Sequence, residues 1–330
     1  RMIRGGIVDP QPREIAERAL FHRHFLHQNT RLENEVIAMR KIPEVRDDFA
    51  LRGRCEVYRA DLKSMASANR LHQGVNLRGH QVWATYEHFQ DLLVIRGIPA
   101  EEELLDIVDF FSTNSDPNIF KERHALSQSE FRKLIQPLIR TGHIVQDFRG
   151  GFRTVAPNLS IDPIELRKEY LRKMVKEYPI ITLKQFMRLA GTPFKPEEIK
   201  SVLNSFEEDG TLIKGFLIED LHEVCWGRKE LLDEAKDIRP IRDFVLPPSD
   251  PISPYFADVL KEKFGFGSAY LVFKNAEPVA AFKANTRNKI IEVKDYEGSE
   301  KGWRIVKEFA WEHQMPLETE LRIGGKKMKR

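Results

Sequence analysis

The sequence predicts an α+β protein in which tandem winged-helix domains follow a helical N-terminal region and precede a small antiparallel β-rich C-terminal domain. Two observations carry this prediction. A unit of helix, helix, glycine and hairpin occurs twice, which is the order of a winged helix. Short stretches that alternate apolar and polar residues then follow a proline-rich linker. The predicted domains are 1–100, 101–158, 159–238 and 239–330, which suits a chain of 330 residues.

The N-terminal region is predicted to be mostly helical. Residues 13–29 and 31–40 are rich in arginine and carry apolar residues at an imperfect helical spacing, and Pro43 is expected to end this part. Residues 71–80 contain two glycines and predict a turn. From 82 to 96 apolar residues recur every three or four positions, which predicts a single helix.

The two repeated units share a glycine at the end of their last helix. In each unit a glycine, Gly142 or Gly210, follows the last helix and precedes a short strand. Pro137 interrupts the second helix of the first unit and is expected to kink or restart it. Helices are predicted over 101–111, 131–140, 165–177 and 183–190 and from Pro196 onward, and hairpins over 144–155 and 212–226.

The C-terminal domain follows a linker, 238–254, that contains five prolines. Period-two alternation predicts short antiparallel strands, joined by loops at 275–277 and 284–288. A helix and a returning strand are expected to close the domain. The strands are predicted over 269–274, 278–283 and 289–294, the helix over 302–313 and the last strand over 317–323.

Composition bounds the class of protein. The chain has 53 Lys and Arg against 50 Asp and Glu, with 41% hydrophobic residues, which excludes a collagen-like or wholly disordered chain. It has no apolar run of about 18 residues that would span a membrane. Two cysteines, Cys55 and Cys225, are too few for a disulfide framework and favour a cytoplasmic location, at the nucleoid in a prokaryote. The abundance of Lys, Arg and Glu is typical of thermophiles. Because the chain starts with Arg1 and no signal-peptide pattern follows, a fragment of a longer protein is one interpretation.

Several common catalytic and ligand-binding motifs are absent from the sequence. It has no P-loop, so the chain cannot drive ATP-dependent translocation by itself, and it has no His-Glu-x-x-His, Cys-x-x-Cys or Gly-x-Ser-x-Gly motif. His22, His24 and His27 lie close together, but only His24 and His27 share a helix face. No Cys or carboxylate nearby completes a tetrahedral set. We therefore expect a cluster of histidines at the surface or in a groove, no metal and no cofactor.

The first unit predicts a nucleic-acid surface, with duplex or branched DNA as the partner. A helix-turn-helix protein presents the start of its second helix to base edges and phosphates. In this unit those positions, and the hairpin beside them, hold polar and basic residues: Gln128, Arg132, Lys133, Gln136, Arg149 and Arg153. The helix predicted over 165–177 adds four more: Arg167, Lys168, Arg172 and Lys176.

The second unit differs in charge. Glu197 and Glu198 occupy the position that should meet DNA, where carboxylates repel phosphates. We expect this unit to pack against another domain or a protein partner. The alternatives are that both units are protein-interaction modules, or that the protein is a transcription regulator, because winged helices serve in both.

The turn at 71–80 is a second candidate site. Gln73 and Asn76 offer amides that could orient a water molecule against an activated sugar carbon. Trp83, Tyr86 or His88 could stack a displaced base. The alternative is a purely structural turn, because tight turns also require glycines and hydrogen-bonding side chains.

Four segments between residues 160 and 295 are distinctive: FEEDGTLIKGF (206–216), CW (225–226), SDP (249–251) and YLVFKNAEPVA (270–280). Through them this region resembles the C-terminal region of the Lhr-type DNA helicases and the related AlkZ-type DNA glycosylases. It implies tandem winged helices, DNA binding and excision of damaged or crosslinked bases.

The glycosylases carry a Gln-x-Gln or Gln-x-Asp motif followed by Val-Asn. Gln73 and Asn76 match it in part, whereas the second Gln or Asp is absent, and Arg78 and His80 match an Arg-x-His that follows. The sequence thus favours a DNA-binding repair or processing protein. Whether it is also an enzyme, a DNA glycosylase, stays open.

Overall fold

The computed structural model describes residues 10–27, 30–239, 242–287, 290–313, 315–319, 322–323 and 326–327. Helices and small sheets alternate along these residues, which confirms the predicted α+β class. No helix among them is long and apolar enough to cross a membrane. The helices are α1 (Arg13–Arg23), α2 (Glu35–Lys41), α3 (Asp48–Arg52), α4 (Leu62–Ala68), α5 (Tyr86–Arg96), α6 (Leu105–Thr113), α7 (Pro117–Arg123), α8 (Gln128–Thr141), α9 (Pro163–Lys176), α10 (Leu183–Ala190), α11 (Pro196–Glu208), α12 (Lys229–Asp237), α13 (Ala257–Phe264) and α14 (Glu300–Glu312). The strands are β1 (Leu32–Asn34), β2 (Cys55–Val57), β3 (His72–Val75), β4 (Gln81–Ala84), β5 (Ile144–Asp147), β6 (Phe152–Thr154), β7 (Ile180–Thr182), β8 (Ile213–Gly215), β9 (Cys225–Gly227), β10 (Phe244–Leu246), β11 (Tyr270–Lys274), β12 (Glu277–Arg287), β13 (Ile290–Gly298), β14 (Leu317–Thr319), β15 (Arg322–Ile323) and β16 (Lys326–Lys327).

The N-terminal region is less helical than predicted. Residues 31–40 begin with β1, which pairs in parallel with β2. The Asn34 side chain then accepts hydrogen bonds from the backbone N–H of Val36 and Ile37 and caps α2. The helix predicted over 13–29 ends at Arg23, and residues 28 and 29 lie outside the described part of the chain.

The prediction of a single helix over 82–96 is wrong. β3 and β4 form an antiparallel hairpin, and α5 begins only after Thr85, whose side chain caps it. The Asn76 side chain fixes the turn between the strands by accepting hydrogen bonds from the backbone N–H of Arg78 and His80 at 3.1 and 3.0 Å. The apolar spacing therefore spans a strand and a helix that share one core.

One sheet, in the order β4-β3-β5-β6, joins the N-terminal region to the first repeated unit. β3 and β5 lie antiparallel, so the sheet crosses the predicted boundary at residue 100, and the domain limits stay a prediction. α8 packs on this sheet through Phe131, Ile135 and Leu138, which share a core with Ile144 and Phe152.

The second unit is built into the body of the molecule. Its strands form a sheet in the order β7-β9-β8, and the apolar face of α11 belongs to the main hydrophobic core. The N-terminal segment closes this unit from outside. Gln11 donates its backbone N–H to the carbonyl of Leu217 at 2.9 Å and accepts from Glu219 at 3.1 Å, and α1 packs against α12.

The C-terminal sheet has the order β10-β11-β12-β13-β14 and is antiparallel except between β13 and β14. The loop predicted at 284–288 is wrong up to Arg287, because residues 284–287 pair with β13 after a register shift beside Lys283. Residues 288 and 289 lie outside the described part. The proline-rich linker also contributes β10, whose Phe244 and Leu246 are buried.

A buried ion pair connects the N-terminal region to the linker. Arg54 and Asp250 are 2% and 1% exposed, and the Nη2 of Arg54 donates to Oδ1 of Asp250 at 2.8 Å in a bidentate pair. Asp250 also accepts from the backbone N–H of Ile252. Loss of either partner would leave a buried charge unpaired, which is strongly destabilising.

Candidate nucleic-acid interface

α8 has well-defined ends. The Ser127 hydroxyl accepts from the backbone N–H of Glu130, and the Glu130 carboxylate accepts from the backbone N–H of Ser127 at 2.8 Å, which is a capping box. Gly142 ends the helix with a φ of +86°. Pro137 lies within the helix without ending it. Local hydrogen bonds and the conformation of Gly142 therefore fix both ends of α8.

The face of α8 opposite the core is exposed and basic. Arg132, Lys133 and Gln136 lie on it, as the sequence predicted, together with Arg140, one turn after Gln136. Within the described part of the chain, none of the three cations has a carboxylate partner at salt-bridge distance. Gln128, at the start of the helix, accepts from Lys121 of α7 at 2.8 Å. Sequence reasoning passed over Arg140, although its i+4 spacing from Gln136 is the signal that identifies it.

The hairpin between β5 and β6 carries two further cations, one of which contacts α5. Arg149 and Arg153 are both exposed, and the Arg153 guanidinium lies 3.9 Å from the ring centroid of Tyr86. The Tyr86 hydroxyl donates to the carbonyl of Thr154 at 2.8 Å and accepts from Ala156. Tyr86 thus anchors the hairpin to α5, and stacking of a base on it would have to displace Arg153.

The four basic residues of α9 do not form one face. Arg167 points inward, where it makes a bidentate pair with Glu198 at 2.8 and 2.9 Å and donates to the carbonyl of Ile95. Lys168 is exposed and pairs with Glu165 of the same helix. Arg172 is half-buried and Lys176 is exposed. Arg167 therefore holds α9 against α11 and α5, and its guanidinium is already occupied.

Trp83 and Gln73 lie opposite each other in the β3–β4 hairpin. The backbone of Trp83 exchanges two hydrogen bonds with Val45, at 2.7 and 3.1 Å, and its ring packs against the core of the N-terminal region. Gln73 is half-buried between Trp83 and Gln146, its partner on β5. This packing makes Trp83 a part of the core rather than a free stacking surface.

Asn76 is 2% exposed and contacts a carboxylate that sequence reasoning missed. Its Nδ2 donates to Oε2 of Glu44 at 2.7 Å, while Oε1 of Glu44 lies 2.9 Å from Nε2 of His88. No local sequence pattern identifies Glu44 as a site residue, because its partners lie 32 and 44 residues away along the chain. The structure thus brings together Glu44, Asn76 and His88 but not Gln73.

Positive groups surround this carboxylate. Burial by itself raises the pKa of Glu44, but hydrogen bonds from His88 and Asn76 and the nearby charge of Arg78 outweigh burial, so the pKa lies below its ordinary value. The Glu44 side chain is 13% exposed. Burial and the charges of Arg46 and Arg78 lower the pKa of His80. A narrowly accessible, ionised carboxylate in a cationic setting can stabilise positive charge or orient water.

The three histidines of the N-terminal region differ in exposure: His22 is exposed, as predicted, His24 is half-buried, and His27 is buried. His27 is buried, with Nε2 3.1 Å from the carbonyl of Arg239, and the His24 ring packs on Tyr178. Burial lowers the pKa of His24 to about 3. Among the residues that the structure describes, no group of three or more His, Cys, Asp or Glu is arranged to hold a metal ion.

The chain is similar to a solved structure, the Streptomyces sahachiroi DNA glycosylase AlkZ, with a TM-score of 0.64 over 95% of this chain and 100% of that one. The sequence identity is 11%, so the likeness shows the fold alone. No protein-family profile matches the chain, and no curated protein sequence matches it. The predicted AlkZ-type resemblance is therefore supported for the fold, while the Lhr-type resemblance stays a prediction.

Proposed function

We propose that the protein is a DNA-binding protein of DNA repair that contacts duplex or branched DNA through α8 and the hairpin that follows it. The observation that carries the proposal is the exposed, unpaired basic face of α8. The proposal includes the assignment of both repeated units as winged helices. It also includes a cytoplasmic location.

The charges and geometry of the first unit suit the phosphate backbone. α8 carries three positive residues and one negative, and Glu130 is occupied in the capping box. Arg149 and Arg153 extend the positive surface onto the hairpin, as the wing of a winged helix does. Gln128 and Gln136 add amides that read base edges, chiefly adenine. The fold similarity to a DNA glycosylase agrees with DNA as the partner.

The test is a fluorescence-anisotropy titration of labelled duplex and forked DNA at 50 and 200 mM salt. We expect affinity to fall steeply with salt, because neutralised phosphates release counterions. Replacing both Arg132 and Lys133 by alanine should lower duplex affinity about tenfold and reduce the salt slope by about two.

The matched control is Lys200→Ala. Lys200 is the fifth residue of α11, as Arg132 is of α8, and both are exposed. We expect the control to bind like the unmodified protein. Equal losses in the two variants would contradict the assignment to α8, and salt-independent binding would contradict the proposal as a whole.

The half-buried carboxylate of Glu44 favours a second candidate function, excision of damaged bases. Glu44 is ionised near neutral pH and is held by Asn76 and His88. In a glycosylase such a carboxylate would stabilise the positive charge that develops on the sugar, or orient the attacking water. Hydrolysis then breaks the bond between sugar and base and gives a free base and an abasic site.

Glu44→Gln tests this candidate. The variant keeps the size of the side chain and its hydrogen bond from Asn76, and we expect it to bind duplex DNA normally while excision falls at least a hundredfold. Asn76→Ala is a poorer test, because Asn76 also fixes the β3–β4 turn. Substrates with alkylated, deaminated and crosslinked bases should all be tried. Failure of the unmodified protein to release any of them would contradict the enzymatic candidate and leave DNA binding standing.

A further inference from the structure

We propose that a groove along α14 binds a single-stranded segment of DNA, as a second contact surface remote from α8. The inference rests on the DNA-binding function proposed above and names a further form of DNA that the protein takes. The groove has a volume of about 510 Å³ and runs between α14 and residues of β11 and the segment before β10.

The groove is lined mainly by cations. Lys274, Lys301, Arg304 and Lys307 line it, against two carboxylates: Asp243 and Glu300. Arg304 faces Glu308 at 3.6 Å, an exposed and weak contact. Within the described residues the three lysines have no carboxylate at salt-bridge distance. A cationic groove of this kind follows a phosphate backbone.

Two tryptophans, Trp303 and Trp311, lie on α14 beside these cations. The side chain of Trp311 is 85% exposed. It lies on the same face of α14 as Lys307, which precedes it by one helical turn. Trp303 lines the groove, with its ring edge-on to Tyr296 at 5.2 Å. Eight residues of helix separate the two tryptophans by about 12 Å, which is roughly the length of three or four stacked nucleotides.

Cations beside an exposed aromatic ring are typical of surfaces that bind single strands. Trp311 supplies that ring, whereas Trp303 is half-buried and packs on the core of the C-terminal domain. Unpaired bases offer their flat faces for stacking, whereas a duplex hides them. A protein partner is a poorer fit, because lysine is depleted at the centre of protein interfaces. Single-stranded DNA is therefore the occupant that the lining favours.

The experiment measures binding of a fluorescein-labelled 12-nucleotide oligo(dT) and of a duplex at 50 mM salt. Trp311→Ala should lower the affinity for oligo(dT) at least about fivefold, and Lys301→Ala with Lys307→Ala should lower it and reduce the salt slope by about 1.4. Duplex affinity should change less than twofold in both variants. Because Trp311 is exposed, its replacement should leave thermal unfolding unchanged.

Lys200→Ala on α11 is the matched control, since Lys200 is an exposed helical lysine and lies more than 40 residues from any residue of the groove. Oligo(dT) affinity that is unchanged in the α14 variants, with duplex binding intact, would overturn this inference and leave the α8 proposal standing. Loss of duplex binding in the Arg132 and Lys133 variant, with oligo(dT) binding intact, supports two separate surfaces. A dimer in sedimentation velocity that Trp311→Ala dissociates would assign the face to a second copy and overturn the inference.

Discussion

α8 of the first repeated unit and α11 of the second are built on one plan and carry opposite charge. Both have a glutamate as third residue that accepts from the backbone N–H of the N-cap residue: Glu130 and Glu198. Both bury apolar residues at matching positions and are followed by a glycine. Yet α8 has three positive residues and one negative, whereas α11 has one positive and four negative.

The glutamate at the third position does not distinguish the second unit from the first as a DNA-binding surface. Glu198 looked like a residue that would repel DNA, but its counterpart Glu130 stands at the same position of the basic helix and serves as a cap. The difference lies further along, where Arg140 of α8 is matched by Glu208 of α11. Surroundings differ too, because Arg167 pairs with Glu198 and Gln11 covers the second hairpin.

The largest effect should come from reversing charge on α8. Arg132→Glu combined with Arg140→Glu should lower duplex affinity roughly a hundredfold at 50 mM salt, because each glutamate both removes a phosphate contact and repels the backbone. Lys200→Glu in α11 should change it less than twofold. Anisotropy titrations decide the matter, and similar losses in both helices would mean that the units share the DNA.

A large effect on stability is expected from Glu17 of α1, the helix that closes the second unit. Burial raises the pKa of Glu17 to about 8, against the opposing charges of Arg13 and Lys263. The unfolded chain releases this proton near pH 4.5, so the contribution of Glu17 to stability is complete below that pH and is lost as the pH rises towards 8.

Glu17→Gln cannot ionise and should remove this decline. Between pH 5 and pH 8 the melting temperature of the unmodified protein should fall several degrees relative to that of the variant. Differential scanning fluorimetry across this range is sufficient. Parallel curves for the two proteins would show that Glu17 is solvated in solution.

A smaller effect separates the two capping glutamates. Glu198→Ala should lower the free energy of unfolding by about 1 kcal/mol, a value discounted for the partial exposure of its pair with Arg167, whereas Glu130→Ala should cost less because only the cap is lost. Pairing with Arg167 lowers the pKa of Glu198, so this difference should be present at pH 7 and fade as the pH falls below about 4.5. Urea denaturation at pH 7 and pH 4 measures the loss of stability in both variants. Equal losses at pH 7 would contradict a stabilising role for the pair between Arg167 and Glu198.

The smallest effect is expected from giving α11 the charge of α8. Glu208→Arg reproduces Arg140 in the second unit, and duplex affinity should change less than twofold, because we expect the contact of the second hairpin with Gln11 to keep it from DNA. A tenfold gain in duplex affinity would instead mean that the negative charge of α11 is what prevents the second unit from binding DNA.

The sequence was sufficient where the signals are local. α10 has the predicted bounds, because Thr182 and Gly191 mark its two ends, and the β5–β6 hairpin lies at its Arg-Gly-Gly turn. β4 was missed because its pairing depends on β3 and, through it, on β5 about sixty residues later. Glu44 and the inward turn of Arg167 were missed for the same reason, since their partners come from distant parts of the chain.

The contacts of the N-terminal segment bear on how the chain reaches its fold during synthesis. Gln11 finds its partners at residues 217 and 219, and Arg54 finds Asp250. Gln11 and Arg54 therefore wait for about 200 further residues to be synthesised before the backbone of Gln11 and the charge of Arg54 find their partners. Such long loops close slowly, so the N-terminal region should stay open to proteases and chaperones until the linker has emerged.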